Sequence, residues 1–456
     1  MRLRYWQKDF VSKAIDAFKK GQRNFFLVAS PGSGKSVACA EIAARLYDAG
    51  LIDLILCLSP SSEVRDGIYR TLNKRMPALF HDGLGSIGES MTYQKLLTLK
   101  DAYLEPAKMK RVLVICDEIH HCSGGGDAIP NAWGKKILNL IFELADYTLL
   151  MSGTPWRTDC FPIALADYCN KDELIINYQY GLSQAVADGV CRQPVITLVD
   201  NDACKINEEK FSSIHEALSK TELMYQQILE NEKALNFILK LSVNRLLSLR
   251  LLTPDAGGVV VAHSVEHARR IKSILETEFN QTAVVVTYKE KKPQAIIDKF
   301  RHGATHWIVS VGMIAEGTDI PRLQVCCHLT TVRTELYFRQ VLGRILRVRS
   351  DDNCTEGFLY TFAEPQLKLF ANRVQEELPG KVVLRSVEQP TQITRGHVAQ
   401  SNRTALSNTI AISASPAEQT PEKNSHLVFE KASFTFDFSG NFREQVIRTY
   451  AKQLFG

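Results

Sequence analysis

The apolar run Phe25-Phe26-Leu27-Val28-Ala29 leads without a break into Ser30-Pro31-Gly32-Ser33-Gly34-Lys35-Ser36 and then into a helix-forming stretch, residues 37–48. Few local patterns restrict a fold more. A strand that feeds a helix through a glycine turn is half of a parallel crossover, and parallel strands need helices over both faces. The spacing is also that of a phosphate-binding loop: a small residue, four spacers, then Gly34-Lys35-Ser36. Glycines let backbone N–H groups turn inward on a polyphosphate, Lys35 can reach the β- and γ-phosphates, and Ser36 offers a hydroxyl to Mg²⁺. A Gly/Ser turn opening an ordinary helix is the alternative. The strand before and the helix after favour the phosphate loop.

The same alternation recurs along the chain. Strand-like runs at 54–58, 112–116 and 148–152 are separated by amphipathic helices such as 62–74. After a break the pattern restarts, with strands at 259–262, 283–287, 306–311, 325–329 and 358–362 and helices at 265–278 and 334–346. Short apolar strands alternating with helices predict an α/β fold of two tandem parallel sheets. Trp6, Phe10, Ala14 and Phe18 share one face of a leading helix. Residues 207–250 have helical composition and read as a connection, or as a small helical subdomain on the second unit. Beyond 386, Gln, Thr, Ser, Asn and Pro dominate, as in a flexible linker. A last amphipathic piece from 427 to 455 carries Phe434, Phe436, Phe438 and Phe442, with a helix expected from Arg443. The resulting division is 1–197, 198–250, 251–385 and 386–456.

Composition sets outer bounds. With 456 residues, 45% hydrophobic and 23% charged, the chain suits two or three globular domains. The eleven cysteines show no repeated Cys-x-x-Cys spacing and several fall in apolar runs. Free thiols in a reducing cytoplasm are the expectation. The opening residues lack a signal-peptide core and no apolar run is long enough to cross a bilayer, so no membrane association is expected. A net charge of +5 permits nucleic-acid binding without arguing for it.

The run Val112-Leu113-Val114-Ile115-Cys116 ends in Asp117-Glu118-Ile119-His120. A buried strand ending in two carboxylates places them where ligands of open α/β sheets bind. There Asp117 can hold Mg²⁺, and Glu118 can orient and deprotonate the water that attacks a γ-phosphate. A metal cluster at His120, His121 and Cys122 lacks a second ligand group at zinc spacing.

Six pieces stand in order: Leu3-Arg4-Tyr5-Trp6-Gln7, Ala29 to Ser36, Asp117 to His120, Ser152-Gly153-Thr154-Pro155, Glu316-Gly317-Thr318-Asp319-Ile320-Pro321, and Gln340-Val341-Leu342-Gly343-Arg344-Ile345-Leu346-Arg347. Together they resemble a superfamily 2 helicase with a DExH-type second motif, of the branch that holds restriction-enzyme motor subunits and DNA-repair translocases. The resemblance covers residues 3–365. It implies two tandem RecA-like domains, with a helical connection and a C-terminal tail, that clamp ATP and Mg²⁺ between them. It implies a catalytic set of Lys35, Asp117, Glu118, His120, Gln340, Arg344 and Arg347. Nucleotide binding would fall to Gln7, Pro31, Gly32, Ser33, Gly34, Lys35, Ser36, Gly317 and Asp319, with Ser36 and Asp117 on the metal. Gln7 matches the glutamine that reads adenine. Arg344 and Arg347, three apart on a predicted helix, match the arginines that reach the γ-phosphate, an effect of about 10³–10⁵ in rate in related hydrolases.

Nucleic-acid contacts are expected at Ser59, Pro60, Arg65, Thr92, Tyr93, Thr154 and His263, where hydroxyls, amides and a cation suit phosphates. Gly153 and Ala29 depart from the usual alanine and glycine of such motifs. The expected activity is an ATP-driven helicase or translocase, on DNA rather than RNA. An RNA helicase, or a nucleotide-controlled subunit of a larger repair, restriction or defence machine, are the alternatives. The tail after 386 is the expected place for a protein partner.

Overall fold

The computed structural model describes residues 2–83, 85–124, 131–155, 162–169, 173–314, 318–349, 354–376 and 435–448. The first lobe begins with α1 (Tyr5–Lys19), β1 (Asn24–Ala29), α2 (Lys35–Asp48), β2 (Leu54–Ser59) and α3 (Ser62–Arg75). It continues with β3 (Gly88–Thr92), α4 (Tyr93–Thr98), β4 (Val112–Cys116), α5 (Ala132–Leu144), β5 (Tyr147–Ser152), β6 (Tyr178–Tyr180) and α6 (Leu182–Ala187). Its six strands lie in the order β3-β2-β4-β5-β1-β6, all parallel. Side-chain alternation explains why both faces are covered. Phe25, Leu27 and Ala29 join the layer of α1 and α2, while Phe26 and Val28 pack with Tyr93, Leu96 and Ile137 of α4 and α5.

The second lobe opens with β7 (Gln193–Asn201), β8 (Cys204–Ile206), β9 (Glu209–Phe211), α7 (Ile214–Lys220), α8 (Tyr225–Glu230) and α9 (Glu232–Arg250). Then follow β10 (Gly257–Ala262), α10 (Val265–Thr277), β11 (Ala283–Thr287), α11 (Pro293–His302), β12 (Trp307–Val311), β13 (Leu323–Leu329), α12 (Glu335–Ile345), β14 (Glu356–Phe362) and α13 (Pro365–Glu376). Strands β15 (Phe436–Phe438) and β16 (Phe442–Arg448) come last. The large sheet runs β11-β12-β10-β13-β14-β7-β16, parallel except for β16. The chain thus has the two-lobed α/β architecture of tandem RecA-like domains.

Two expectations are corrected. The boundary at 197–198 falls inside β7, which pairs with β14 along its length, so the second lobe starts earlier. Residues 443–448 form part of strand β16 rather than a helix. The open edge of β7 offers unpaired backbone groups, and β16 satisfies them in antiparallel register from Phe442↔Asn201 to Arg448↔Val195. The Phe442 ring stacks on Phe237 at 4.7 Å, and Lys233 pairs with Asp437 at 2.6 Å, so residues 435–448 dock on the second lobe. The linker 386–434 and Phe434 lie outside the described residues. Among the described residues, no helix is long and apolar enough to cross a membrane, and ten cysteines carry free thiols.

Candidate functional site

The parallel sheets deliver their loops to one cleft between the lobes, of about 810 Å³ and open to solvent. Its first wall is the loop 31–36 with Asp117, Glu118, Gly153 and Thr154; its second holds Asp319, Gln340, Arg344 and Arg347. Gly32 and Gly34 take φ of +80° and +93°, which only glycine adopts without strain. Both positions are also crowded. A Cβ on Gly34 would lie 2.9 Å from Gln7 Nε2, and one on Gly32 would lie 3.0 Å from Arg347 Cγ of the facing lobe.

The loop is held from behind by α1. Arg4 donates to Ser33 O at 2.7 Å, Gln7 Nε2 donates to Gly34 O at 2.9 Å, and Gln7 Oε1 accepts from Arg4 N–H at 2.8 Å. Gln7 is buried, and its carboxamide is spent on the loop. An adenine-reading role would need those bonds exchanged. Arg4 was not singled out by sequence, although it stands in the same motif; its signal is only a cation three residues before Gln7.

Lys35 Nζ lies 3.5 Å from Glu118 Oε1 and donates to Ala29 O at 3.3 Å. Glu118 sits at φ +48°, an uncommon region for a side-chain-bearing residue, and accepts from Gly153 N–H at 3.2 Å. His120 Nδ1 is 2.8 Å from Ser152 Oγ, which donates to Thr154 O, tying the two carboxylate-bearing and Ser152–Thr154 segments together. Burial, and then the adjacent Glu118 charge, push Asp117 above the usual carboxylate range. Burial acts on Glu118 in the same sense, but Lys35, His120 and the Gly153 N–H outweigh it and hold Glu118 low. The upward push on Asp117 reflects a buried carboxylate short of positive charge, which a divalent cation would supply.

On the facing wall, Arg347 pairs with Asp319, and Arg344 Nη1 donates to Thr318 O at 2.9 Å. Burial lowers Arg347 to about 10, which leaves it a cation at neutral pH. Gly343 lies against Pro31 of the first lobe. Gly317 lies outside the described residues.

Of the expected strand contacts, Pro60 lines the cleft, Arg65 pairs with Asp66 at 2.6 Å, and Thr92 caps α4 by accepting from Lys95 N–H. Four others are placed differently from expectation. Ser59 is fully buried. Tyr93 is buried too, its hydroxyl donating to Asp117 O at 2.8 Å. The His263 side chain is nearly enclosed, 3.2 Å from Glu230 and with its ring tilted against that of His267 at 4.3 Å. Thr154 is buried beside the phosphate loop rather than on the outer rim. Strand ends bury hydroxyls and rings as readily as they present them, and the sequence pattern does not separate the two cases.

Residues 1–157 match the family described as "Type III restriction enzyme, res subunit", and residues 242–349 match the helicase conserved C-terminal domain. The chain belongs to superfamily 2 of the helicases. Uncharacterized protein Rv2917 of Mycobacterium tuberculosis is 30% identical over 76% of this chain and 59% of its own length. DNA 3'-5' translocase XPB2 of Sulfurisphaera tokodaii is 24% identical over 76% of this chain and 79% of its own. The fold is shared with a structure described as an HsdR-subunit fragment of a type I restriction enzyme from Vibrio vulnificus YJ016. That match has a TM-score of 0.56 and 18% identity, and covers 81% of this chain and 66% of that one. The superfamily 2 core here thus spans only about three fifths of the M. tuberculosis relative.

The donor set suits a magnesium-bound triphosphate. Among the described residues Ser33 Oγ is buried with no hydrogen-bond partner, Gly32 and Gly34 take left-handed conformations, and burial pushes the Asp117 carboxyl up while the Lys35 charge opposes it.

Proposed function

We propose that this chain is a nucleic-acid-stimulated ATPase that converts lobe closure into movement along DNA. The supporting observation is the split site. Lys35 and Glu118 stand on one wall of a cleft, Arg344 and Arg347 on the other, and neither wall alone carries a complete phosphoryl-transfer set. Loop amides and Lys35 bind the β- and γ-phosphates. Ser36 and Asp117 would hold Mg²⁺, which when bound supplies charge that offsets the phosphate oxygens. Glu118, kept ionised by Lys35, is the base that takes the proton from the attacking water. Arg347, released from Asp319, answers the charge that develops on the γ-phosphate, and Arg344 stands beside it.

Because the arginines belong to the second lobe, hydrolysis depends on closure. A strand lying across both lobes would then be drawn alternately by each. DNA is preferred as the track on the likeness to the restriction and repair branch. A cytoplasmic setting fits the unpaired thiols. The test is steady-state ATPase across single-stranded, duplex and branched DNA and matched RNA. DNA should raise turnover severalfold over the basal rate. Hydrolysis indifferent to every nucleic acid would end the motor reading, and stimulation by RNA alone would move the track.

A further inference from the structure

The chain crosses from one lobe to the other through residues 189–192, between α6 and β7. Gly189 turns at φ +65°, and the N–H groups of Val190 and Cys191 both donate to Ala185 O, at 2.8 and 3.0 Å. The crossing is therefore clamped to the end of α6. Cys191 and Arg192 between them touch both walls of the cleft. Cys191 Sγ is 3.5 Å from Pro31 O, while the Cys191 backbone forms an antiparallel bridge with Arg347. Arg192 N–H donates to Leu346 O at 2.7 Å.

The Arg192 side chain is fully buried, and its guanidinium donates to Leu323 O at 2.8 Å, Ile345 O at 3.0 Å and Pro321 O at 3.4 Å. A buried cation is costly unless acceptors meet it, so three backbone carbonyls from two separate segments are a demanding arrangement. Ile345 ends α12, where the helix dipole favours a cation. Pro321 and Leu323 follow Asp319, the partner of Arg347. The planar fork holds these carbonyls at fixed separations, which a lysine ammonium on a flexible stem does not.

We propose that Arg192 is a positioning residue for hydrolysis. It locks the Asp319 loop to the end of α12, and with Cys191 sets the Arg344/Arg347 pair against the phosphate loop. Movement of one lobe then reaches the arginines through the crossing itself. This rests on the motor reading above.

The test uses the full chain with Arg192→Met and Arg192→Lys. Turnover and KM are measured with the stimulating DNA, and affinities for ADP–beryllium fluoride and ADP–aluminium fluoride are compared. Misplacing a catalytic group by about 1 Å costs on the order of 10²-fold, so Arg192→Met should lower kcat by about that factor. KM and ADP–beryllium fluoride affinity should stay within about threefold, while ADP–aluminium fluoride affinity falls with kcat. Arg192→Lys should recover part of the loss. Equal losses for both analogues, or an unaltered kcat, overturn the proposal.

If the methionine variant does not fold, the lysine variant carries the same comparison. Amide exchange of the unaltered chain adds an arm without substitution: ADP–aluminium fluoride should slow exchange across 190–193, and unchanged exchange there counts against the coupling. An unaltered chain inactive with every nucleic acid removes the motor reading and this one with it. An active chain with an indifferent variant removes this inference alone.

Discussion

Gly343→Ala separates the packing between the lobes from the stability of either one. A Cβ at 343 would lie 2.6 Å from Pro31 Cβ and 3.1 Å from its Cγ. Carbon atoms rest at about 3.5–4.0 Å, so roughly 1 Å of extra separation must be found. Helix α12 packs on the second sheet through Phe338, Val341, Leu342 and Ile345, all buried, and resists displacement. Pro31 opens the phosphate loop and is hardly freer. The gap is therefore found between the lobes, moving Arg344 and Arg347 away from Lys35. Overpacking of this kind costs about 1–3 kcal/mol, equivalent to a fall in turnover of roughly 5- to 150-fold if the closed form is the active one. Within α12 the change has the opposite sign, because alanine in a helix is favoured over glycine by about 1 kcal/mol. The expected signature is a melting temperature unchanged or raised, with DNA-stimulated kcat at saturating ATP reduced. Full turnover together with a raised melting temperature would show that Gly343 and Pro31 do not meet in the active form.

Lys35→Ala and Glu118→Gln should each stop ATP turnover, and Glu118→Gln should still retain a fluorescent ATP analogue; easy turnover by the glutamine variant would remove Glu118 from the base role. Arg347→Ala should slow hydrolysis by about 10³-fold with ATP affinity little changed, and a loss of affinity in proportion would make Arg347 a binding residue only. Folding stability should fall on acidification well above the carboxylate range. Burial holds His267 down to about 3 and His328 down to about 4. Below about 6.5 the unfolded chain binds protons these folded imidazoles refuse, so stability present above that pH is lost as it falls. From pH 7 to 5 this amounts to about 2 kcal/mol for each histidine. Urea midpoints at the two pH values measure it, and His328→Gln should remove about half of this histidine contribution to the slope. An unchanged slope would mean that His328 titrates alike in the folded and unfolded chain.

The legible parts of this molecule are those where chemistry demands residues at fixed spacing along one segment. The phosphate loop needs left-handed glycines and a lysine at set offsets, and the strand before it needs an unbroken apolar run; both can be read from residues 25–36 and both stand in the fold. The less legible parts depend on contacts between distant segments. Residues 443–448 have no local preference strong enough to override an offer of backbone partners, so the open edge of β7, set some 240 residues earlier, decides that they are a strand. Tyr93 follows a strand much as a ligand-binding residue would, yet the main-chain oxygen it meets belongs to Asp117. Arg192 is the sharpest case. In sequence it is one cation ahead of an apolar strand, and its three acceptors are carbonyls, which leave no trace in side-chain identity. Motifs therefore disclose which groups line the cleft, while the parts that hold the two walls in register are written in backbone acceptors. Under the proposed function the arginines arrive from the other lobe and hydrolysis depends on both, so substitutions at Gly343 and Arg192 should cost turnover without touching a phosphate.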